Sequence, residues 1–155
     1  MAVRRGWLYH FATGFGAGHL PKMPGTYGTL VGVMLYLPLA LLPLPVYLLL
    51  AGGVMMAGIP ICHQGAEQLG RHDHPSIVWD EISGFLVAMV AVPPSLLSVL
   101  LGFILFRLFD IVKPWPICWL DRKVPGGTGM MLDDVLAGVV TCISLHGMMY
   151  FGWLV

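Results

Sequence analysis

FRLFDIVKPWPICWLDRKVPGGTGMMLDD, residues 106–134, decides how the chain is read. It carries half of all Asp, Glu, Lys and Arg residues in a protein that is only 10% charged. Arg107, Asp110 and Lys113 recur every three residues, so a helix places them on roughly one face. Pro114 and Pro116 end that helix, and Pro125-Gly126-Gly127 predicts a flexible turn. The pair Asp133-Asp134 then stands at the mouth of another apolar run. Packing alone gives a hydrophobic chain no reason for such a cluster. The stretch reads as half of an active site.

Outside it, charge is scarce. Hydrophobic residues make up 57% of the 155 and mean hydropathy is +0.83, far above the balance of soluble proteins. Residues 25–62, 82–106 and 135–155 contain no Asp, Glu, Lys or Arg. Each of these runs is long enough to cross a hydrocarbon core of about 30 Å, and the first could cross it twice. The expectation is an all-α, integral membrane helical bundle forming a single membrane-embedded domain over 1–155. Zero net charge gives no sign of a nucleic-acid partner, and none is expected. Cys62, Cys118 and Cys142 fit neither a disulfide framework nor a zinc pattern and read as small buried hydrophobes. The opening MAVRRGWLYHF lacks an apolar core followed by a cleavage site, so no removable signal peptide is expected.

Residues 1–13 predict an interfacial helix, with Arg4 and Arg5 toward the headgroups and Trp7, Leu8 and Phe11 dipping into the membrane. Residues 13–30, rich in glycine and holding Pro21 and Pro24, predict a sharply bent loop. About five transmembrane helices follow, near 29–42, 46–70 (with a kink at Pro60), 77–92, 95–112 and 133–153. The uncharged turns at 43–45 and 93–95 then fall on one side. The charged segments 1–27, 63–81 and 107–134 fall on the other, which the positive-inside tendency makes cytoplasmic.

Asp80-Glu81 would open the third of these helices, Asp110 close the fourth, and Asp133-Asp134 open the fifth. Acids at helix N-termini have a plain explanation in capping and the helix dipole. Two such pairs plus Asp110 at a C-terminus, against the dipole trend, go beyond it. Oxygen-only ligand sets favour hard cations such as magnesium. Gly84 lies one turn from Asp80 and Gly138 one turn from Asp134, spacing that lets two helices approach and their acids converge. Arg107 and Lys113 could hold a phosphate, or snorkel to anionic headgroups. Lys22 sits in the Gly-rich segment, whose amides could bind an anion. His72 and His74 do not share a helical face and read as loop hydrogen-bonding groups rather than zinc ligands. Glu67, Arg71, Asp121, Arg122 and Lys123 read as solvated loop residues. Walker A, nucleophile-elbow and cysteine-phosphatase patterns are absent.

Three segments, GFGAGHLPKMPGTYGTL (14–30), HDHPSIVWDEISG (72–84) and FRLFDIVKPWPICWLDRKVPGGTGMMLDDVLAGV (106–139), resemble bacterial phosphatidylglycerophosphatase A in order and separation. The resemblance implies a magnesium-dependent lipid phosphatase of the bacterial inner (cytoplasmic) membrane, multi-pass, with its active site facing the cytoplasm. Its substrate would be phosphatidylglycerophosphate, hydrolysed to phosphatidylglycerol and inorganic phosphate among membrane lipids. Carried over by position, the functional residues are Gly25, Thr26, Asp80, Glu81, Arg107, Asp110, Lys113, Asp133 and Asp134.

On this reading some of Asp80, Glu81, Asp133 and Asp134 bind one or two magnesium ions. Lys22, Gly25, Thr26, Arg107 and Lys113 contact substrate, and a metal-activated water attacks in line. Asp80, Asp110 and Asp134 are the catalytic candidates; Asp110 serves as a ligand, general base or partner of Arg107. A phosphoenzyme through one of the acids is an alternative chemistry. Two other classes compete: a carboxylate-lined cation transporter, expected to carry ionisable residues at mid-membrane, and a non-catalytic anionic-lipid-binding membrane protein, which would not need two acid pairs.

Overall fold

A computed structural model describes residues 6–71 and 74–154, apart from the Asp121 side chain. Arg4, Arg5, His72 and Asp73 lie outside the described residues. Among the described residues the chain is all-α: α1 (Trp7–Ala12), a 3-10 segment (Gly14–His19), α2 (Pro24–Leu39), α3 (Leu44–Leu69), α4 (Trp79–Ala88), α5 (Leu96–Val112), α6 (Ile117–Lys123) and α7 (Gly126–Tyr150). Both α3 and α7 are long and apolar enough to cross a membrane. Exposed apolar side chains cover much of the outside, including Leu41, Leu49, Met56, Leu96 and Ile143. Such a surface suits lipid rather than water. The protein is a membrane-associated helical bundle.

At its centre is α4, in the structure the shortest of the helices expected to cross. Ile82, Gly84, Phe85, Leu86 and Ala88 of α4 are all buried. At ten residues α4 is only about 15 Å long, and it ends at Ala88 rather than near residue 92. The chain beyond it, through buried Met89 and Val92, is non-helical. Backbone carbonyls released there need partners wherever water is excluded. Two tyrosines supply them: Tyr47 donates to the Leu86 carbonyl at 2.6 Å and Tyr36 to the Val92 carbonyl at 2.7 Å. The chain then restarts in α5 through a Ser95–Ser98 capping box.

Other departures from the sequence expectation have local causes. The Gly-rich segment is not an open loop. Its second half forms the first two turns of α2, with Pro24 at the start where a missing N–H costs nothing. Its first half is a 3-10 segment whose glycines allow backbone contact: a Cβ on Gly18 would lie 2.0 Å from the Ser76 carbonyl oxygen. Amides expected to be free for an anion are used internally, Gly16 and Gly18 donating to the Thr13 carbonyl. In α1, Phe11 turns inward, edge-on to Trp79, while Trp7 stays exposed.

α3 runs through Pro60 without interruption and ends in a left-handed Gly70, with Arg71 N–H donating to the Ala66 carbonyl. α6 was not anticipated among the charged residues of 117–123. α7 begins at Gly126, seven residues before the expected start, because Pro125-Gly126-Gly127 serves as the helix opening rather than a turn.

Candidate active site

The acids converge where α4 meets α7. Asp80 and Glu81 lie in the first turn of α4. Asp134 lies beyond the second turn of α7, so neither it nor Asp133 caps that helix. A Cβ on Gly84 would sit 2.6 Å from the Asp134 carbonyl oxygen, and one on Gly138 would sit 2.3 Å from the Gly84 carbonyl oxygen. The two glycines thus let α4 and α7 touch backbone to backbone, as their spacing from the acids implied. One oxygen from each of Asp80, Glu81 and Asp134 lies within 4.8 Å of the others.

Asp80 is 8% exposed and Asp134 4%. Two buried carboxylates and the largely buried Glu81 at this separation repel one another and have lost most of the water that would screen them, so the arrangement is costly without a cation. Glu81 Oε2 is buried and accepts no hydrogen bond from the protein. An all-oxygen donor set with an unused buried oxygen fits a hard divalent cation such as magnesium.

Cations of the protein border this group. Arg107 of α5 pairs with Asp110 one turn on, and its Nη1 lies 3.9 Å from Glu81 Oε1. Arg107 Nε is buried and donates to nothing in the protein. Asp110 in turn approaches the Asp134 carboxyl. Lys113 leaves the face it was expected to share. It caps α5 in left-handed backbone (φ 44°) and points its amine at α7, 2.6 Å from Asp133 Oδ2. Asp133 is therefore engaged with Lys113, while Asp80, Glu81 and Asp134 form the ligand-like group.

Gly25 lies directly against the site. A Cβ there would stand 2.4 Å from Glu81 Oε1 and 2.9 Å from both terminal nitrogens of Arg107. Thr26 is half-buried beside it, whereas Lys22 is exposed in the preceding turn with φ 79° and is not part of the buried group. Two supporting residues carried no sequence signal. Thr29 donates its hydroxyl to the Gly25 carbonyl at 2.8 Å, and the Trp79 indole N–H donates to the Val54 carbonyl at 3.1 Å, anchoring the residue before Asp80.

The family profile of phosphatidylglycerophosphatase A matches residues 10–149, which include every residue of this site. The chain belongs to the phosphatidylglycerophosphatase A family. Phosphatidylglycerophosphatase A of Escherichia coli (strain K12) is 43% identical over 141 residues, covering 90% of this chain and 80% of that protein. The Haemophilus influenzae enzyme of the same name is 38% identical over 146 residues, covering 93% and 90%. A Bacteroides thetaiotaomicron protein, provisionally named a phosphatidylinositol-3-phosphatase, is 37% identical over 141 residues, covering 86% and 87%. No solved structure matches the chain. As a phosphatidylglycerophosphatase A homologue the chain is an enzyme of the lipid-phosphatase class, with a buried acidic group able to coordinate a cation.

Proposed function

We propose that the protein is a magnesium-dependent lipid phosphatase that hydrolyses phosphatidylglycerophosphate to phosphatidylglycerol and inorganic phosphate. It forms one domain over residues 1–155 and crosses the bacterial inner membrane about five times, with the site at the cytoplasmic face. The observation that carries the proposal is the buried Asp80–Glu81–Asp134 group bordered by Arg107. A carboxylate group alone would serve ion transport equally well. The adjoining guanidinium, its Nε without a protein acceptor, favours a phosphate.

Asp80, Glu81 and Asp134 would hold the magnesium, which would supply positive charge and a water of lowered pKa for hydrolysis. Arg107 binds the phosphoryl oxygens and is held in place by Asp110. Lys113, positioned by Asp133, adds a second positive charge as the phosphoryl group transfers to water. The ester oxygen leaves as the hydroxyl of phosphatidylglycerol. Gly25 and Thr26 at the α2 N-terminus, and Lys22 before them, contact the glycerophosphate headgroup.

The names of the relatives divide between two headgroups, so the test compares them. Purified protein with magnesium should release phosphate from phosphatidylglycerophosphate faster than from phosphatidylinositol 3-phosphate of the same acyl chains. The opposite order would overturn the substrate assignment while keeping the reaction class.

A further inference from the structure

Away from the acidic group, α3 and α7 meet along a seam carrying two cavities in line. The first, about 270 Å3, is lined by His63, Glu67 and Arg71 at the end of α3 and by Gly126 at the start of α7. The second, about 140 Å3, lies between Met55, Met56 and Ile59 of α3 and Met131, Leu132 and Val135 of α7. Met56, Ile59, His63, Ala66 and Gly70 follow at steps of three or four, so both cavities use one face of α3. Between them the helices are in backbone contact: a Cβ on Gly127 would lie 2.4 Å from the Ile59 carbonyl oxygen.

The dimensions fit a lipid standing upright. From Glu67 to Met56 is eleven residues of helix, about 16 Å, close to half of a ~30 Å hydrocarbon core. With Glu67 at headgroup level, Met56 reaches the depth of the acyl chains.

The chemistry divides in the same way. Methionines line much of the deeper cavity and adapt to an irregular chain. In the upper cavity the formal charges of Glu67 and Arg71 cancel, and His63 Nε2 lies 3.6 Å from Glu67 Oε1. A ligand carrying both signs suits this lining. The doubly charged phosphomonoester proposed for the acidic site does not, because Glu67 would face it.

We propose that the α3–α7 seam binds one zwitterionic diacyl phospholipid of the surrounding bilayer. Its phosphate lies toward Arg71, its ammonium toward Glu67, and a short segment of one acyl chain enters the methionine-lined cavity. This rests on the bilayer placement proposed above and not on the reaction.

The test uses the full chain purified in detergent and offered three lipids: a diacyl ethanolamine phospholipid, a diacyl glycerol-headgroup phospholipid with the same chains, and the single-chain ethanolamine form. Native mass spectrometry reads retention, and thermal unfolding reads the shift in Tm. The diacyl ethanolamine lipid should be retained at one per chain and raise Tm. The other two should bind about tenfold more weakly, a difference of about 1.4 kcal/mol.

Glu67→Lys should move the preference to the glycerol headgroup. Met56→Trp, at a position 62% exposed, should weaken both diacyl lipids. Neither should change phosphate release. Equal retention of all three lipids, or an unchanged preference in Glu67→Lys, would overturn the seam. An intact lipid preference in protein that releases no phosphate would support the seam and count against the proposed reaction.

Discussion

Replacing Gly84 by Ala tests whether the α4–α7 approach sets the geometry of the acids. The added Cβ would lie 2.6 Å from the Asp134 carbonyl oxygen and 2.8 Å from two carbons of the Phe106 ring. Relaxed contacts lie near 3.5 Å, so the helices must part by roughly 1 Å. Phe106 is fully buried and cannot swing away cheaply. The overpacking should cost about 1–3 kcal/mol. The parting also carries Asp134 away from Asp80 and Glu81, and a misplacement of about 1 Å can cost on the order of 100-fold in rate. Phosphate release measured across a magnesium titration should show half-maximal activity at a higher magnesium concentration and a lower maximal rate. The control is Gly53→Ala in α3, where an added Cβ meets nothing within 4 Å. It should leave activity unchanged and stabilise α3 by up to about 1 kcal/mol. Folded Gly84→Ala with wild-type magnesium dependence and rate would refute the reasoning.

Other outcomes follow from single contacts. Tyr47→Phe and Tyr36→Phe each leave a buried carbonyl without its donor and should lower stability by about 1–3 kcal/mol in thermal unfolding, with activity retained well below Tm. Glu81→Gln removes one of three mutually repelling carboxylates. Without magnesium its Tm should rise, and with magnesium the ion should bind less tightly; a lowered Tm in EDTA would count against repulsion in the group. Arg107→Lys keeps the charge but loses the fork that spans Asp110 and Glu81. Its kcat/KM for the lipid should fall by tenfold or more, and wild-type kinetics would remove Arg107 from phosphate binding.

The gathering of the acids was more legible than the helix ends. Charge in an apolar chain is rare enough to point to the acidic group by itself, and the four-residue offsets from Asp80 to Gly84 and Asp134 to Gly138 announced the close crossing. What the residues could not give was partner choice. Asp133 and Asp134 look equivalent in sequence, yet they project in different directions around α7, and only one joins Asp80 and Glu81. Lys113 looked like a continuation of the Arg107–Asp110 face, but Pro114 disfavours helical backbone in the residue before it, and the left-handed cap re-aims its amine.

Helix ends misled where Gly and Pro play two parts. Pro24 and Pro125-Gly126-Gly127 open helices here, although the same residues commonly mark turns. The early end of α4 depends on Tyr36 and Tyr47, donors lying 56 and 39 residues from the carbonyls they satisfy. No local pattern reports such a bond.

The most direct measurement pairs magnesium binding with phosphate release in the same preparations of wild type, Asp80→Asn and Asp134→Asn. If the buried acids hold the catalytic cation, wild type binds magnesium and releases phosphate from phosphatidylglycerophosphate. Each variant should then lose both together while remaining folded, and EDTA should abolish release from wild type. Release that persists in EDTA, or that survives in a variant no longer binding magnesium, would contradict the cation site at Asp80, Glu81 and Asp134.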